Sequence, residues 1–300
     1  MSSRRPTLVC VGAATLDAIA LVDSFPEPDQ RVIAQEITYT GGGPAATAAV
    51  AAARLGVPAA YVGTVGDDAD GQRIREGLSA EGVDISSVSV AAGQASGASV
   101  VLVDSGRGTR AICTRPGPRV DLSLAGPLLS AADWVHTDHL GWAAVSDSRA
   151  RADVVHSRLS VDAGNAIRGF SLAGVDLFVP TLEALRATYG ALEEEALLDS
   201  ALADGARCVV ATDGPRGSLA ASATGERFSV PGLTTQVVST LGAGDVFHGA
   251  LLAAHVRGMT LKNCLAYANV TAALSCLGLG GRSAIPAHEV VISHLPALVG

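Results

Sequence analysis

Short apolar runs alternate with alanine-rich or amphipathic stretches along most of this chain, and glycine or proline marks the joins. Thr7-Leu-Val-Cys-Val11 reads as a buried strand ending at Gly12. Pro44–Leu55 reads as a helix stopped by Gly56 and Pro58, and Ala59–Gly63 as the next strand. Asp70–Glu81 places Ile74 and Leu78 one helical turn apart, with Gly82 as its stop. The runs Trp134–His136, Leu159–Val161, Leu177–Val179 and Arg207–Ala211 continue the rhythm. Strands that are apolar throughout, separated by helices, imply a largely parallel sheet covered on both faces, so the expected class is α/β. With 300 residues, 48% of them hydrophobic, one large domain over residues 1–300 has enough apolar surface for its core.

Two segments break the rhythm. Residues 31–41 and 97–115 are β-prone and alternating, and Asp104-Ser-Gly-Arg-Gly108 sits inside the second as a hairpin turn. A small antiparallel β lid inserted into the α/β body fits them, and so does an extra sheet edge with no lid role.

Glycine turns that feed helices carry the chemistry. Gly242-Ala-Gly-Asp245 precedes the apolar run Val246–Ala254. The first amides of a helix lack internal partners, and with the helix dipole they suit an anion. An acid beside such a site repels an anion unless it takes up a proton. Asp245 therefore suits a catalytic base in phosphoryl transfer, although an ordinary turn with a capping acid has the same spelling. Gly41-Gly-Gly-Pro44 is a second glycine turn feeding a helix, with Thr47 in its first turns. Asp17 follows the first strand closely, where α/β sheets bind ligands, and fits either a substrate hydroxyl or an exposed loop. Thr212-Asp-Gly-Pro-Arg-Gly217 places further glycines at a strand end.

Other classes are excluded or weakened. A net charge of −8 leaves no broad basic surface for nucleic acid. No Gly-x-x-x-x-Gly-Lys-Ser/Thr loop and no Gly-x-Gly-x-x-Gly after the first strand occurs. Five cysteines without a CxxC pair read as reduced thiols, which with the absence of a signal peptide or membrane span points to the cytoplasm. His136, His139, His248 and His255 are too dispersed to read as a metal site, and the pair on the late helix reads as packing or surface.

The strings GGGPAATAAVAAARLG (41–56) and STLGAGDVFHGA (239–250) resemble the two signatures of the PfkB, or ribokinase-like, carbohydrate kinases. Val65-Gly-Asp-Asp-Ala-Asp-Gly71 resembles a further element, and the likeness runs from about residue 7 to 290. The resemblance implies a three-layer α/β/α fold with a β lid, a homodimer contact through that lid, and transfer of the ATP γ-phosphoryl group to a sugar hydroxymethyl. It implies Asp245 as base, with the amides of Gly242, Ala243 and Gly244 as anion hole. Asp17, Gly42, Gly43 and Thr47 fall at sugar-binding positions; Thr212, Gly214, Gly217 and Asn269 fall at nucleotide-binding ones. Glu183 matches the acid of a magnesium-associated Asn-x-x-Glu motif.

Three departures stand out within this resemblance. Thr47 stands where relatives commonly carry a sugar-binding Asn, Thr181 replaces the Asn of Asn-x-x-Glu, and Ser239 replaces an Asp that helps hold a monovalent cation such as K+. Several blocks, among them Gly280–Pro286, look closest to bacterial 6-deoxy-6-sulfofructose kinases and fructokinase-type members. Leu140 and Thr114 stand where groups for a sulfonate are expected, leaving Arg115 or His139 for that role. The expected activity is an ATP- and Mg2+-dependent kinase of a ketohexose, sulfofructose or pentose. The alternatives are a nucleoside kinase, which 4% aromatic content disfavours, and a sugar- or nucleotide-binding regulator on the same scaffold.

Overall fold

The computed structural model describes residues 7–150, 157–167 and 169–296. The chain opens with β1 (Leu8–Val11), forms β2 (Thr15–Val22) and β3 (Glu36–Gly42), and enters α1 (Pro44–Arg54). It returns through β4 (Ala59–Val62), β5 (Thr64–Gly66), α2 (Ala69–Ala80) and β6 (Ser89–Ala91), then makes the hairpin of β7 (Gly97–Asp104) and β8 (Thr109–Arg115). A second series runs through α3 (Gly126–Ala131), β9 (Trp134–Thr137), α4 (Trp142–Ala150), β10 (Arg158–Asp162) and β11 (Leu177–Val179). It continues with α5 (Leu182–Tyr189), α6 (Glu194–Ala203), β12 (Cys208–Thr212), β13 (Ser218–Ser222) and β14 (Arg227–Val230). Three helices close the chain: α7 (Ala243–Val256), α8 (Leu261–Ser275) and α9 (His288–His294).

The large sheet has the order β14-β13-β12-β11-β10-β9-β1-β4. From β12 to β4 its neighbours are parallel; β13 and β14 add antiparallel strands at one edge. Successive side chains point to opposite faces, so Leu8 and Cys10 join the core with α1, α7 and α8, while Val9 and Val11 join the core beneath α4 to α6. This burial on both faces is why the six parallel strands read as continuous apolar runs. The alanines of α1 have a packing reason. A side chain at Gly249 of α7 would collide with the Ala48 carbonyl, so the two helices touch backbone to backbone.

A separate four-stranded sheet has the order β3-β2-β7-β8. Its composition differs from the sequence expectation in two ways. Residues 31–35 form no strand, and Thr15–Val22 supplies a long one outside the two β-prone segments. Once the chain leaves β1 at Gly12, eight residues pair with β3 on one side and β7 on the other. Asp17 is therefore a strand residue. Asp68 is a structural acid: it caps α2 through Gly71 N–H (2.8 Å) and accepts from Ser96 N–H (2.9 Å). Among the described residues no helix is long and apolar enough to cross a membrane, and no cluster of three or more metal-ligating side chains occurs.

Candidate active site

In the large sheet β4 lies on one side of β1 and β9 on the other, and the chain departs from β1 in the first half and from β9 onward in the second. Such a switch point leaves a crevice at the carboxyl ends of the strands. Gly12 follows β1, Asp138 follows β9, Asp162 ends β10 and Thr212 ends β12, so these residues arrive at one rim by topology alone.

The amino end of α7 meets this rim. Gly242 caps the helix in a left-handed conformation (φ 71°), and a side chain there would approach Gly281 to 2.9 Å. Ala243 N–H reaches the Thr240 carbonyl at 3.3 Å, and Val246 N–H bonds Gly242 at 2.9 Å. Among the described residues the N–H groups of Gly244 and Asp245 have no partner. Gly244 is exposed, and a side chain there would meet nothing within 4 Å. The helix mouth is thus open, with the amides of Gly242, Gly244 and Asp245 without partners among the described residues and the dipole available to an anion. Of the three residues expected to supply amides, Ala243 has its own internal partner, and Gly242 and Gly244 have none among the described residues. Burial, with Asp162 and Asp138, pushes the Asp245 carboxyl up to about 7 against the pull of His248 and Arg282. A carboxyl near neutrality at an anion site is suited to accept a proton.

The mouth of α1 is built differently. Asp138 is fully buried and points into it, accepting Ala13 N–H (2.7 Å) and Ala45 N–H (3.2 Å) through Oδ2. Its Oδ1 accepts Leu140 and Gly141 N–H, each at 2.9 Å. Ala46 N–H goes to the Ala13 carbonyl at 3.2 Å. This glycine turn is filled by the protein's own carboxyl, whose pKa burial raises against the pull of these amides.

One helical turn beyond Asp245, His248 Nε2 lies 3.2 Å from Asp162 Oδ1, and both side chains are buried. Burial opposes a charge on His248, but Asp162 overrides it and raises the imidazole pKa. Burial likewise opposes the Asp162 carboxylate, and His248 with the Gly164 amide holds it low. His136 stacks beside His248 at 5.2 Å between ring centres and shares a 3.1 Å hydrogen bond with Ser160. His248 lowers the pKa of Asp245 against burial, a role the dispersed spacing concealed, while burial holds His136 down to about 3.

On the other side of the crevice, Asp17 projects from β2. It is buried, and its Oδ1 lacks a hydrogen-bond partner among the described residues. Burial raises its pKa against the Thr15 and Ser99 hydroxyls and Arg282. A side chain at Gly42 would overlap the Asp17 carboxylate, and one at Gly43 (φ 88°) would press on the Ala13 backbone at 2.5 Å. Thr47 is buried in α1, with its Oγ1 accepting Arg282 Nε at 3.1 Å.

The remaining sequence-derived positions scatter. Thr212 ends β12, Gly214 opens a 3-10 turn, and a side chain at Gly217 (φ 101°) would strike the Val230 carbonyl. Asn269 of α8 donates its side-chain amide to the carbonyls of Val230 (3.0 Å) and Pro231 (3.1 Å), which fixes the same turn from behind. His139 is half-buried next to Asp138 on the rim. Arg115 shares its strand face with Ala98, opposite to that of Asp17 and Ser99, and binds the Ser96 carbonyl (2.9 Å) and Asp70 (3.6 Å). Strand alternation therefore turns it away from Asp17. Glu183 is exposed in the first turn of α5. Thr181 caps that helix by accepting Ala184 N–H at 3.0 Å, so the residue three positions on is Ala184, and Glu183 is out of the Asn-x-x-Glu spacing.

The sequence reading singled out neither Asp138, Asp162, His248 nor Arg282 for the site. The two acids had a signal, since each ends or directly follows a buried strand, at the sheet edge where ligands bind. Arg282 had none, because an arginine in a Gly-Gly-Arg-Ser loop ordinarily reads as solvated.

An open helix mouth with a carboxyl poised beside it, and a buried acid, Asp17, on the small sheet, fit a kinase-type phosphotransferase site with an alcohol acceptor. Residues 5–288 match the pfkB family carbohydrate kinase description, and the chain belongs to that family. It is 30% identical to an ATP-dependent ribose-1-phosphate kinase of Halopiger xanaduensis, over 96% of this chain and 97% of that one. It is 26% identical to a nucleoside kinase of Methanothermobacter thermautotrophicus, over 98% and 96%. The structure of Arabidopsis thaliana ribokinase complexed with ribose and ATP superposes with a TM-score of 0.80 at 23% identity, covering 97% of this chain and 99% of that one. The ribokinase fold and the kinase class expected from the two signatures are therefore established.

Proposed function

We propose that the chain transfers the γ-phosphoryl group of ATP to a hydroxymethyl group of a small sugar of the ketohexose, sulfofructose or pentose type. The observation that carries this reading is the unpartnered amides of Gly244 and Asp245 beside a carboxyl whose pKa is about 7. In this reading the sugar lies between Asp17, the Gly42–Gly43 turn and Thr47. Asp245 accepts the hydroxyl proton as the oxygen attacks phosphorus, and the α7 mouth stabilises charge on the phosphoryl oxygens. Thr212, Gly214 and Gly217 line the nucleotide side, where glycines let the backbone approach. Mg2+ supplies neutralisation of the ATP phosphates. Asp138 and Asp162 are engaged internally, so in this reading the ion would be held chiefly by the phosphates themselves.

The small sheet acts in this reading as a lid that limits loss of ATP to water. Its inner face carries Thr15, Asp17, Ile19, Thr38, Thr40, Ser99, Val101 and Thr114 and no aromatic ring, which favours a sugar over a base-bearing substrate. Its outer face exposes Ile37 (65%), Tyr39 (71%) and Val100 (56%), an apolar surface that fits a homodimer through the lid. An ADP-release assay over hexoses, pentoses, sulfosugars and nucleosides tests the activity. Turnover on a sugar supports the reading, and saturable sugar binding without turnover favours the regulator.

A further inference from the structure

The small sheet is seated on the loops that carry the α7 mouth. Strand pairing sets Ile19, Val101 and Ile112 side by side, and Leu21, Val103 and Arg110 side by side two residues on, all on the face that bears Asp17. Ile19, Val101 and Val103 are buried against Leu279, and Leu21 and Leu241 pack on the same cluster. Leu241 directly precedes the Gly242 cap of α7, and Leu279 directly precedes Gly280 and Gly281. The two loops touch, since a side chain at Gly242 would meet the Gly281 Cα at 2.9 Å, and Thr40 of β3 lies against Gly280. Arg110 adds a polar contact beside this apolar seat: its Nη1 donates to Thr240 Oγ1 at 2.6 Å, across 130 positions of sequence. Thr240 belongs to a hydrogen-bonded turn. Val238 and Ser239 N–H bond the Cys276 carbonyl (2.8 and 3.2 Å), Ser239 Oγ accepts Leu241 N–H at 3.2 Å, and the Thr240 carbonyl accepts Ala243 N–H at 3.3 Å. Arg110 and Thr240 are both exposed, so their hydrogen bond exchanges readily with water and contributes little to folding stability.

Resting on the kinase reading above, we propose that Arg110 is a positioning residue: by gripping Thr240 it fixes the turn that shapes the α7 mouth while the small sheet is seated. The apolar cluster holds the sheet down, and the guanidinium sets where the Thr240 backbone lies. Thr240 passes the grip to the first turn of α7 through its carbonyl bond to Ala243. The acceptor side, which bears Asp17, and the nucleotide side, which bears the open amides, are thereby joined by one contact. By linkage, a nucleotide that favours this shape of the mouth favours the seated sheet to the same extent.

The test compares wild type with Arg110→Ala, Thr240→Val, the double variant and Thr240→Ser. The first readout is hydrogen exchange of the β7–β8 peptides, without sugar, before and after adding Mg2+ and a non-hydrolysable ATP analogue. In wild type the analogue should slow that exchange by about 3- to 10-fold, the range of one ordinary hydrogen bond. In Arg110→Ala and Thr240→Val the response should fall below about twofold. The second readout is steady-state ADP release with D-ribose and D-fructose. Each single variant should lower kcat/KM for the sugar by about 3- to 10-fold, and the double variant should lose no more than either. Thr240→Ser keeps the hydroxyl and should match wild type. Melting temperatures should stay within about 2 °C of wild type, which separates a positioning role from a structural one. No response of the β7–β8 peptides in wild type, a response that survives in Arg110→Ala, or additive losses in the double variant overturns the inference and leaves the kinase reading intact. A wild type that binds the analogue but turns over no sugar overturns the kinase reading, and the exchange readout, which needs no sugar, still decides the Arg110 contact.

Discussion

The mouths of α1 and α7 look alike as sequence, Gly41-Gly-Gly-Pro44 and Gly242-Ala-Gly-Asp245, yet the fold uses them oppositely. Asp138 enters the α1 mouth from the end of β9 and accepts the Ala45 and Ala13 amides, so an internal carboxyl fills that turn although burial raises its pKa. Among the described residues the α7 mouth has no such plug. Its acid lies on its own helix, beside the amides, and leaves them free. A glycine turn at a helix start therefore marks a place where an anion can sit. Whether protein or ligand supplies that anion depends on a residue remote in sequence.

The largest expected effect comes from removing the plug. Asp138→Ala leaves several buried amides without acceptors, each costing about 1–3 kcal/mol, so unfolding stability should fall by about 3–5 kcal/mol. Denaturant titration checks it, and a loss below about 1 kcal/mol would show that the α1 mouth does not need its carboxylate. Removing the acid of the open mouth should do the reverse. Asp245→Asn should lower kcat by about 10²- to 10⁴-fold and leave the ATP dissociation constant within about threefold. Its stability should not fall. The folded-state pKa lies above the unfolded value, so Asp245 contributes stability that is lost as pH rises toward about 7. The variant should gain melting temperature relative to wild type progressively from about pH 4 to pH 7.

Glycine substitutions sharpen the contrast further. Gly43→Ala forces a side chain into a φ of 88° against the Ala13 backbone and should destabilise the fold. Gly244→Ala meets open space, so stability should hold or rise by up to about 1 kcal/mol from helix propensity. Its ATP affinity should nevertheless drop, because the methyl occupies the anion position. The smallest of these effects is on pH. The acidic limb of kcat/KM should lie near the Asp245 pKa of about 7, and Asp162→Asn should move it to lower pH, since the Asp162 charge raises that pKa. A limb that stays in place would remove Asp162 from the electrostatics of the base.

The six parallel strands and the glycine turns were legible in the sequence for a common reason: burial on both faces and positive φ each restrict residue choice. β2 was not legible, because Thr-Leu-Asp-Ala-Ile-Ala-Leu-Val mixes small and charged residues on a sheet with one face exposed. The site was legible only where one local segment made it. Asp245 and the α7 turn lie together in sequence, whereas Asp138, Asp162 and Arg282 reach the crevice through long-range topology. Arg115 shows the opposite failure, since its charge suited the site but strand parity turned it toward Asp70.

The difference between the two helix mouths is directly observable in amide signals of the isotopically labelled protein. On adding a non-hydrolysable ATP analogue with Mg2+, the N–H resonances of Gly244 and Asp245 should shift and lose fast hydrogen exchange, while those of Ala45 and Ala46 should already be protected and move little. Early protection of Gly244 and Asp245 without nucleotide, or a response confined to Ala45 and Ala46, would contradict the assignment of the α7 mouth as the phosphate site.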